Sequence, residues 1–298
     1  MQIVTNQFQK ELKEHGNYQF PFLVSYERLS RYETGAFLWH WHPEIEITLI
    51  THGKMAYHCN DRIFYPEEGD LLFCNSNAFH AGEMLQNQDC EYISLTFDAR
   101  LLYGYEQSLI HHKYINPVLQ NPALPGLHLK PHDSWYPKAH ELLQKIITLT
   151  KEQPALYELE IPGLLLLFWK LLYQNSHAAD TASPADFLNQ TRIRQILEYI
   201  AEHYHSKIYL EDVASHIGLC KSECCRLFKR YMKMSLFEFL LEYRIERSLD
   251  TLADPSVSIT EVAEKAGFND SNYYSKAFGK IKGCSPRQYR KRLNSEHE

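Results

Sequence analysis

From residue 18 to about 97 the apolar positions come in short runs rather than at helical spacing. Phe22-Leu23-Val24, Glu44 to Leu49, Met55 to His58, Asp70 to Phe73 and Tyr92 to Phe97 are rich in β-branched and aromatic residues. Turn signals at Thr34-Gly35, His52-Gly53, Asn60-Asp61 and Glu68-Gly69 break them. Many short strands without intervening helices predict a β-sandwich or small barrel. Between about 100 and 130 the periodicity is lost, and Pro117, Pro122 and Pro125 punctuate the chain. The period then becomes helical over 134–152 and 157–175, with Leu142, Leu143, Ile146, Ile147 and Leu149 on one face of the first stretch. Residues 177–186 are small and polar, the composition of a linker. From Phe187 onward the pattern predicts helices beginning near Thr191, Leu210, Lys221, Leu236, Ile259 and Ser271. The chain reads as an α+β protein in three parts: a β domain over 1–130, a helical dimerisation or linker segment over 131–186, and an all-α domain over 187–298.

The all-α part contains a repeat. Asp212-Val213-Ala214 followed by Gly218-Leu219 returns as Glu261-Val262-Ala263 followed by Gly267-Phe268, 49 residues later. A small residue, then Gly and an apolar residue, is how two helices cross at a tight turn: Ala permits close contact and Gly takes a positive φ. Each copy leads into a basic helical segment, Lys221 to Lys233 and Ser271 to Lys282. Two tandem helix-turn-helix units follow from this spacing. In such a unit the second helix enters the major groove and residues near its start reach base edges. In the first copy Ser222, Cys225 and Arg226 hold those places, with Lys229 and Arg230 further along, at phosphate positions. In the second, Ser271, Asn272, Ser275 and Lys276 do so, followed by the basic residues Lys280, Lys282, Arg287, Arg290, Lys291 and Arg292.

Charge agrees with this division. The net charge is −6, but residues 187–298 hold 18 Lys+Arg against 15 Asp+Glu, so the acidic excess lies in the first 186 residues. Double-stranded DNA fits one end of the chain and a different partner the other. Seven cysteines without framework spacing, and no opening apolar targeting segment, predict reduced thiols in a cytoplasmic protein. The Cys220/Cys224/Cys225 group lacks a second ligand pair at zinc-finger spacing and reads as small helix filler. The most apolar run, Ile161 to Tyr173, is too short for a bilayer and contains Lys170, so no membrane partner is expected.

The segment from Gly267-Phe268 to Phe278, with Gly283-Cys-Ser-Pro286-Arg-Gln-Tyr-Arg290, resembles the signature of AraC/XylS-type transcription regulators. Cys225-Arg226-Leu-Phe228-Lys229 and Arg244 agree with it in the first copy, and the resemblance covers about 105 residues. It implies two small helical domains joined by a long helix, about Leu236 to Leu252, that enter successive major grooves on one face of promoter DNA. It also implies a homodimer, contact with RNA polymerase and, in most such regulators, activation. Two residues depart from the pattern. Cys220 stands where a Ser cap is usual and Gly279 where Lys is common.

In the β part, Gly35-Ala-Phe-Leu-Trp39-His40-Trp-His42-Pro-Glu-Ile-Glu46 runs on to Gly53, and His80 stands eleven residues past Gly69. Alternation in one unbroken strand would place His40, His42, Glu44 and Glu46 on one face. The pattern resembles the two cupin motifs, so the β domain is expected to be a cupin-like barrel or sandwich. The resemblance implies that His40, His42, Glu46 and His80 converge inside it. Three imidazoles and a carboxylate suit a divalent metal such as Mn, Fe, Ni or Zn, or can hydrogen-bond a small-molecule effector directly. Asn75 and Asn77 stand where the second motif usually has Pro and Gly, which puts the aim of His80 in question. Trp39, with Trp41, Tyr57 and Phe79, supplies aromatic surface for the effector site, and aromatic faces suit sugar rings. Arg28 reads as a surface salt-bridge residue. The resulting expectation is a regulator rather than an enzyme, with a small-molecule effector such as a sugar at Trp39, His40, His42, Glu46 and His80. A cupin enzyme with a DNA-binding tail and a ligand-independent architectural module are the alternatives. A turnover assay separates the first, and a small-molecule effect on melting temperature separates the second.

Overall fold

The structure is a computed structural model that describes residues 2–176 and 183–295; 177–182, most of the expected linker, lie outside the described residues. The chain divides into two compact units, Met1–Phe187 and Leu188–Glu298.

The first unit contains nine strands: β1 (Phe22–Arg28), β2 (Ala36–His40), β3 (Ile45–Gly53), β4 (Met55–Cys59), β5 (Arg62–Phe64), β6 (Leu71–Cys74), β7 (His80–Met84), β8 (Cys90–Phe97) and β9 (Gly126–Leu129). They form a five-stranded sheet, β1-β8-β3-β6-β9, and a four-stranded sheet, β2-β7-β4-β5, with antiparallel pairing throughout. The region without periodicity yields the single-turn helix α1 (Arg100–Tyr103), a π-helical turn over His111–Ile115 that runs into the single-turn helix α2 (Asn116–Leu119), and the strand β9.

The predicted helices are α3 (Tyr136–Glu152) and α4 (Tyr157–Asn175). Ile45, Ile47 and Leu49 of β3 and Leu95 and Phe97 of β8 share one buried cluster with Leu142, Leu143 and Ile146 of α3 and with Leu165, Phe168 and Leu172 of α4. The helices therefore cover one face of the five-stranded sheet and belong to the same core as the β domain. A strand turns alternate side chains to opposite faces, so Glu46 and Thr48 of β3 and Tyr92, Ser94 and Thr96 of β8 face the other way. That face is buried too: Thr48, Ser94 and Thr96 are 2%, 6% and 3% exposed. Polar residues that alternate with the apolar ones here line an interior rather than solvent. Between the sheets a second cluster, including Leu29, Tyr32, Phe37, Ile50, Met55 and Tyr57, closes the barrel.

The all-α part comprises α5 (Pro184–His203), α6 (Leu210–His216), α7 (Lys221–Met232), α8 (Leu236–Ala253), α9 (Ile259–Lys265), α10 (Ser271–Lys282) and α11 (Pro286–Ser295). α5 starts earlier than Thr191 because Ser183 and Asp186 cap its first turn reciprocally, at 3.1 and 3.3 Å. The same device, Ser235 with Glu238, Ser258 with Glu261 and Ser285 with Gln288, starts α8, α9 and α11. Both predicted turns take positive φ at glycine, +65° at Gly218 and +81° at Gly267. Ala214 and Ala263, in the helices before these turns, are buried.

Candidate DNA-reading faces and an effector cavity

α7 buries Cys224, Leu227, Phe228 and Tyr231. Residues three and four apart share a helix face, so Ser222, Cys225, Arg226, Lys229 and Arg230 form the opposite stripe, and all five are exposed. On α10 the buried face is Tyr274, Ala277 and Phe278; Asn272, Lys276 and Lys280 are exposed, while Ser271 and Ser275 are half-buried. The Ser275 hydroxyl donates to the Ser271 carbonyl at 2.9 Å, within its own helix. Tyr273, beside Asn272, is 55% exposed and joins this face; its exposed place on the amphipathic pattern was visible in the sequence.

Two of the expected basic residues are committed internally. Lys282 lies 2.7 Å from Glu246, with its side chain 3% exposed. Arg290 donates to the Leu252 and Val257 carbonyls at 2.7 and 2.8 Å and so satisfies the C-terminal end of α8. Arg244 does the same for the Tyr204 and Ser206 carbonyls. At the α7 cap, Glu223 accepts the Cys220 backbone N–H at 3.3 Å, so the box is kept from the Glu side although Cys replaces Ser.

In the barrel, the single strand expected through His40, His42 and Glu46 is broken. β2 ends at His40 and β3 begins at Ile45, in the other sheet, with Pro43 between them. A register shift between Phe37 and His40 turns both of these residues to the cavity. Of the expected effector residues, His40, Glu46 and His80 line the cavity, whereas Trp39 and His42 lie outside the lining; Trp39 packs its ring 5.7 Å from that of His58, and the His42 ring lies 5.0 Å from that of His80. His80 converges despite the altered motif. Asn75 is buried and donates to the Val118 and Leu124 carbonyls at 2.7 and 3.0 Å, and Asn77 takes φ +59°, so the two asparagines build the turn themselves. Arg28 is at the surface with Glu91 and, at 3.7 Å, Asp89.

His40, His42 and His80 are all buried, and one ring nitrogen from each lies within 4.8 Å of the others. The Nδ1 atoms of His40, His42 and His80 lie 2.9, 3.2 and 3.0 Å from the carbonyl oxygens of Leu38, Glu44 and Ala78. A carbonyl only accepts, so each Nδ1 carries the proton and each Nε2 keeps its lone pair. The His42 Nε2 is buried with no hydrogen-bond partner, and the nearest carboxylate oxygen is Glu46 Oε2 at 3.5 Å. Three imidazoles tied at Nδ1 beside a carboxylate are the donor set of a divalent metal site, and the orphaned His42 Nε2 fits such a ligand. Burial and the neighbouring His80 push His40 down to about 3. Burial opposes ionisation of Glu46, but His42 and then His80 overcome it and hold the carboxyl well below its usual range. His80 moves the other way: burial opposes its charge, but Cys74 and Glu46 raise it, so a metal ion bound there would displace its proton.

Residues near the N-terminus, which the sequence did not single out, complete the site. His15 lies 3.5 Å from both Glu11 and Glu44; burial opposes its charge, but these carboxylates raise it to about 9. The cavity measures about 460 Å³ and is lined by Glu11, Glu27, Glu46, His15, His40 and His80, together with hydroxyls from Ser25, Tyr32, Tyr92, Ser94 and Thr96. Among the described residues Lys13 is the one lysine or arginine in the lining. Thr48 donates to Glu46 at 2.9 Å, and Ser94 lies 3.3 Å from the same oxygen.

A barrel with an internal cavity lined by both polar and apolar side chains and a second unit with two helix-turn-helix motifs define a transcription regulator with a ligand-binding domain and a DNA-binding domain. A family model described as an AraC-like ligand binding domain matches residues 25–145, and one described as a helix-turn-helix domain matches residues 213–292. The chain is 32% identical over 293 residues to YdeC, an HTH-type transcriptional regulator of Bacillus subtilis (strain 168), covering 98% of this chain and 99% of that one. It is 24% identical over 253 residues to the melibiose operon regulatory protein of Escherichia coli (strain K12), covering 85% and 83%. It is also 24% identical over 272 residues to the HTH-type transcriptional activator RhaR of Mannheimia succiniciproducens, covering 85% and 87%. The chain belongs to the AraC family of transcription regulators. Among the described residues no helix is long and apolar enough to cross a membrane.

Proposed function

We propose that this regulator activates transcription in response to a neutral sugar bound in the barrel cavity. The cavity's chemistry carries the reading: three carboxylates and five hydroxyl side chains line it, and carboxylates accept hydrogen bonds from sugar hydroxyls strongly. A relative named for the melibiose operon supports a saccharide, and one named as an activator supports the direction of control.

His40, His42, Glu46 and His80 would hold a divalent metal, which would supply a Lewis acid for effector hydroxyls. Glu46, held by Thr48 and Ser94, orients the same ligand, and the site binds rather than turns over its effector. On DNA, Ser222, Cys225, Arg226, Ser271, Asn272, Ser275 and Lys276 read bases, while Lys229, Arg230 and Lys280 meet phosphates. The exposed face of α4, with Leu159, Leu166 and Leu167, pairs two copies into a homodimer that works with RNA polymerase in the cytoplasm. By linkage, the effector changes DNA affinity as far as it binds the two states of the regulator differently.

Calorimetry and gel shifts of the full chain, with neutral saccharides and with organic acids, test this reading. A neutral saccharide should bind and change promoter affinity. Binding of organic acids alone would contradict it.

A further inference from the structure

The effector cavity has two polar ends. His40, His80 and Glu46 close one, and the other is built on β1, where Ser25 and Glu27 turn inward. Glu27 pairs across the sheet with Tyr92 of β8, and Tyr92 pairs with Ile50, four residues past Glu46 on β3. The two carboxylates thus stand on positions roughly 14 Å apart along the strands. The Tyr32 hydroxyl donates to Glu27 Oε2 at 3.4 Å, and burial and then Glu27 hold that phenol protonated, well above its usual range. Lys13 Nζ lies 3.6 Å from Glu27 Oε1 and donates to Ser25 Oγ at 3.0 Å. Each Glu27 oxygen keeps a lone pair beyond these contacts, and the side chain is 16% exposed. Between the ends lies Phe37, whose ring is 5.7 Å from those of both His40 and Tyr32. Its strand partner is Gly82, where an added Cβ would fall 2.4 Å from the ring, so the missing side chain makes room for this aromatic surface.

Resting on the saccharide reading above, we propose that Glu27 is the specificity-determining residue of a second subsite, which reads adjacent hydroxyls at the end of the saccharide remote from the histidines. A carboxylate only accepts hydrogen bonds and an ammonium only donates them, whereas a hydroxyl does both. Adjacent hydroxyls can therefore donate to Glu27 and accept from Lys13 at once. Lys13 also offsets the charge that would otherwise favour an ammonium ligand, so this end takes a neutral diol. Tyr32 is a positioning residue, because its hydroxyl fixes one carboxylate oxygen. Phe37 offers an apolar wall between two sets of polar groups, the arrangement of a small-ligand site. Hydrogen bonds to an ionised acceptor are stronger than neutral ones. The stereochemistry of the carbons facing Glu27 thus decides which saccharides bind.

Calorimetry of the full-length protein with D-glucose, D-galactose, melibiose and the single deoxy forms of each hexose tests this. The wild type should bind at least one parent sugar, and removal of one of two adjacent hydroxyls should weaken it roughly tenfold or more. Glu27→Gln keeps the shape but loses the charge; it should bind the parent sugar more weakly by a similar factor and be indifferent to the same deoxygenation. Tyr32→Phe leaves Glu27 charged but unanchored, so it should lose less affinity and narrow the difference between the two epimeric hexoses. Glu27→Gln that binds parent and deoxy sugars as the wild type does would overturn the subsite and leave the saccharide reading standing. Equal affinity of the wild type for a parent sugar and all its deoxy forms would do the same without any variant. Failure of every one of these saccharides to bind the wild type would overturn that reading and this inference with it.

Discussion

The two helix-turn-helix copies share a frame but not a surface, and the comparison separates what the fold requires from what DNA recognition requires. Val213-Ala214 and Val262-Ala263 are buried alike, and both turns pass through glycine at positive φ. The glycines differ in what surrounds them. An added Cβ at Gly218 meets nothing, whereas at Gly267 it would run into the Tyr204 carbonyl and the His205 backbone at 3.0 Å. The exposed stripes differ as well: α7 presents Arg226, Lys229 and Arg230, and α10 presents Asn272, Tyr273, Lys276 and Lys280. A shared frame with unlike faces is expected of a protein whose two units read different bases.

The frame gives the largest predicted effect. Gly267→Ala should destabilise the second unit by roughly 3 kcal/mol or more, because the left-handed cost adds to a backbone clash. Gly218→Ala should lose only about 1 kcal/mol, the conformational cost alone. Denaturant melts of the two full-length variants measure the gap, and equal losses would break the distinction.

The faces come next. Arg226→Ala should cost roughly 1–3 kcal/mol at one base position in the first half-site, and Asn272→Ala a similar amount in the second. Lys280→Ala should weaken all sequences alike and reduce the salt slope of binding by about one. Competition binding with single-base variants at several salt concentrations distinguishes a base contact from a phosphate contact.

A smaller effect tests α8, which joins the copies. Burial and the neighbouring Glu246 and Glu238 raise Glu242 to about 7, with Lys280 opposing. Between the unfolded carboxyl value, about 4.3, and 7 the native state holds a proton that the unfolded state has released. Stability from this group is therefore lost as pH rises through that window. Glu242→Gln should be more stable than the wild type at pH 8, by about 1–2 kcal/mol, and indistinguishable from it near pH 4. Melts at the two pH values check the sign.

The sequence and the structure agree where the signal is local. The repeat places α6, α7, α9 and α10 because the turn glycine, the small residue before it and the apolar spacing all lie within one short stretch. The cupin-like motif likewise identifies His40, His42, Glu46 and His80 from spacing. What escaped the sequence depends on long-range pairing. The strand at His40 breaks because the chain changes sheets near Pro43, and a register shift turns Trp39 away from the cavity. Glu11 and His15 are brought to the site by long-range contacts of the N-terminal segment, among them main-chain pairing with Trp41 about 30 residues on, and carry no motif of their own. Period-two alternation in β3 and β8 does not by itself say which face meets solvent. Only the helices packed on the opposite side reveal that the polar face lines the cavity.

Selection of binding sites from random duplexes, using the full chain, tests the central claim that both copies read DNA. Two clusters of preferred bases about one helical turn apart are predicted, with Arg226→Ala erasing preference in one cluster and Asn272→Ala in the other. A single cluster affected by both substitutions, or no preference beyond charge, would contradict the account.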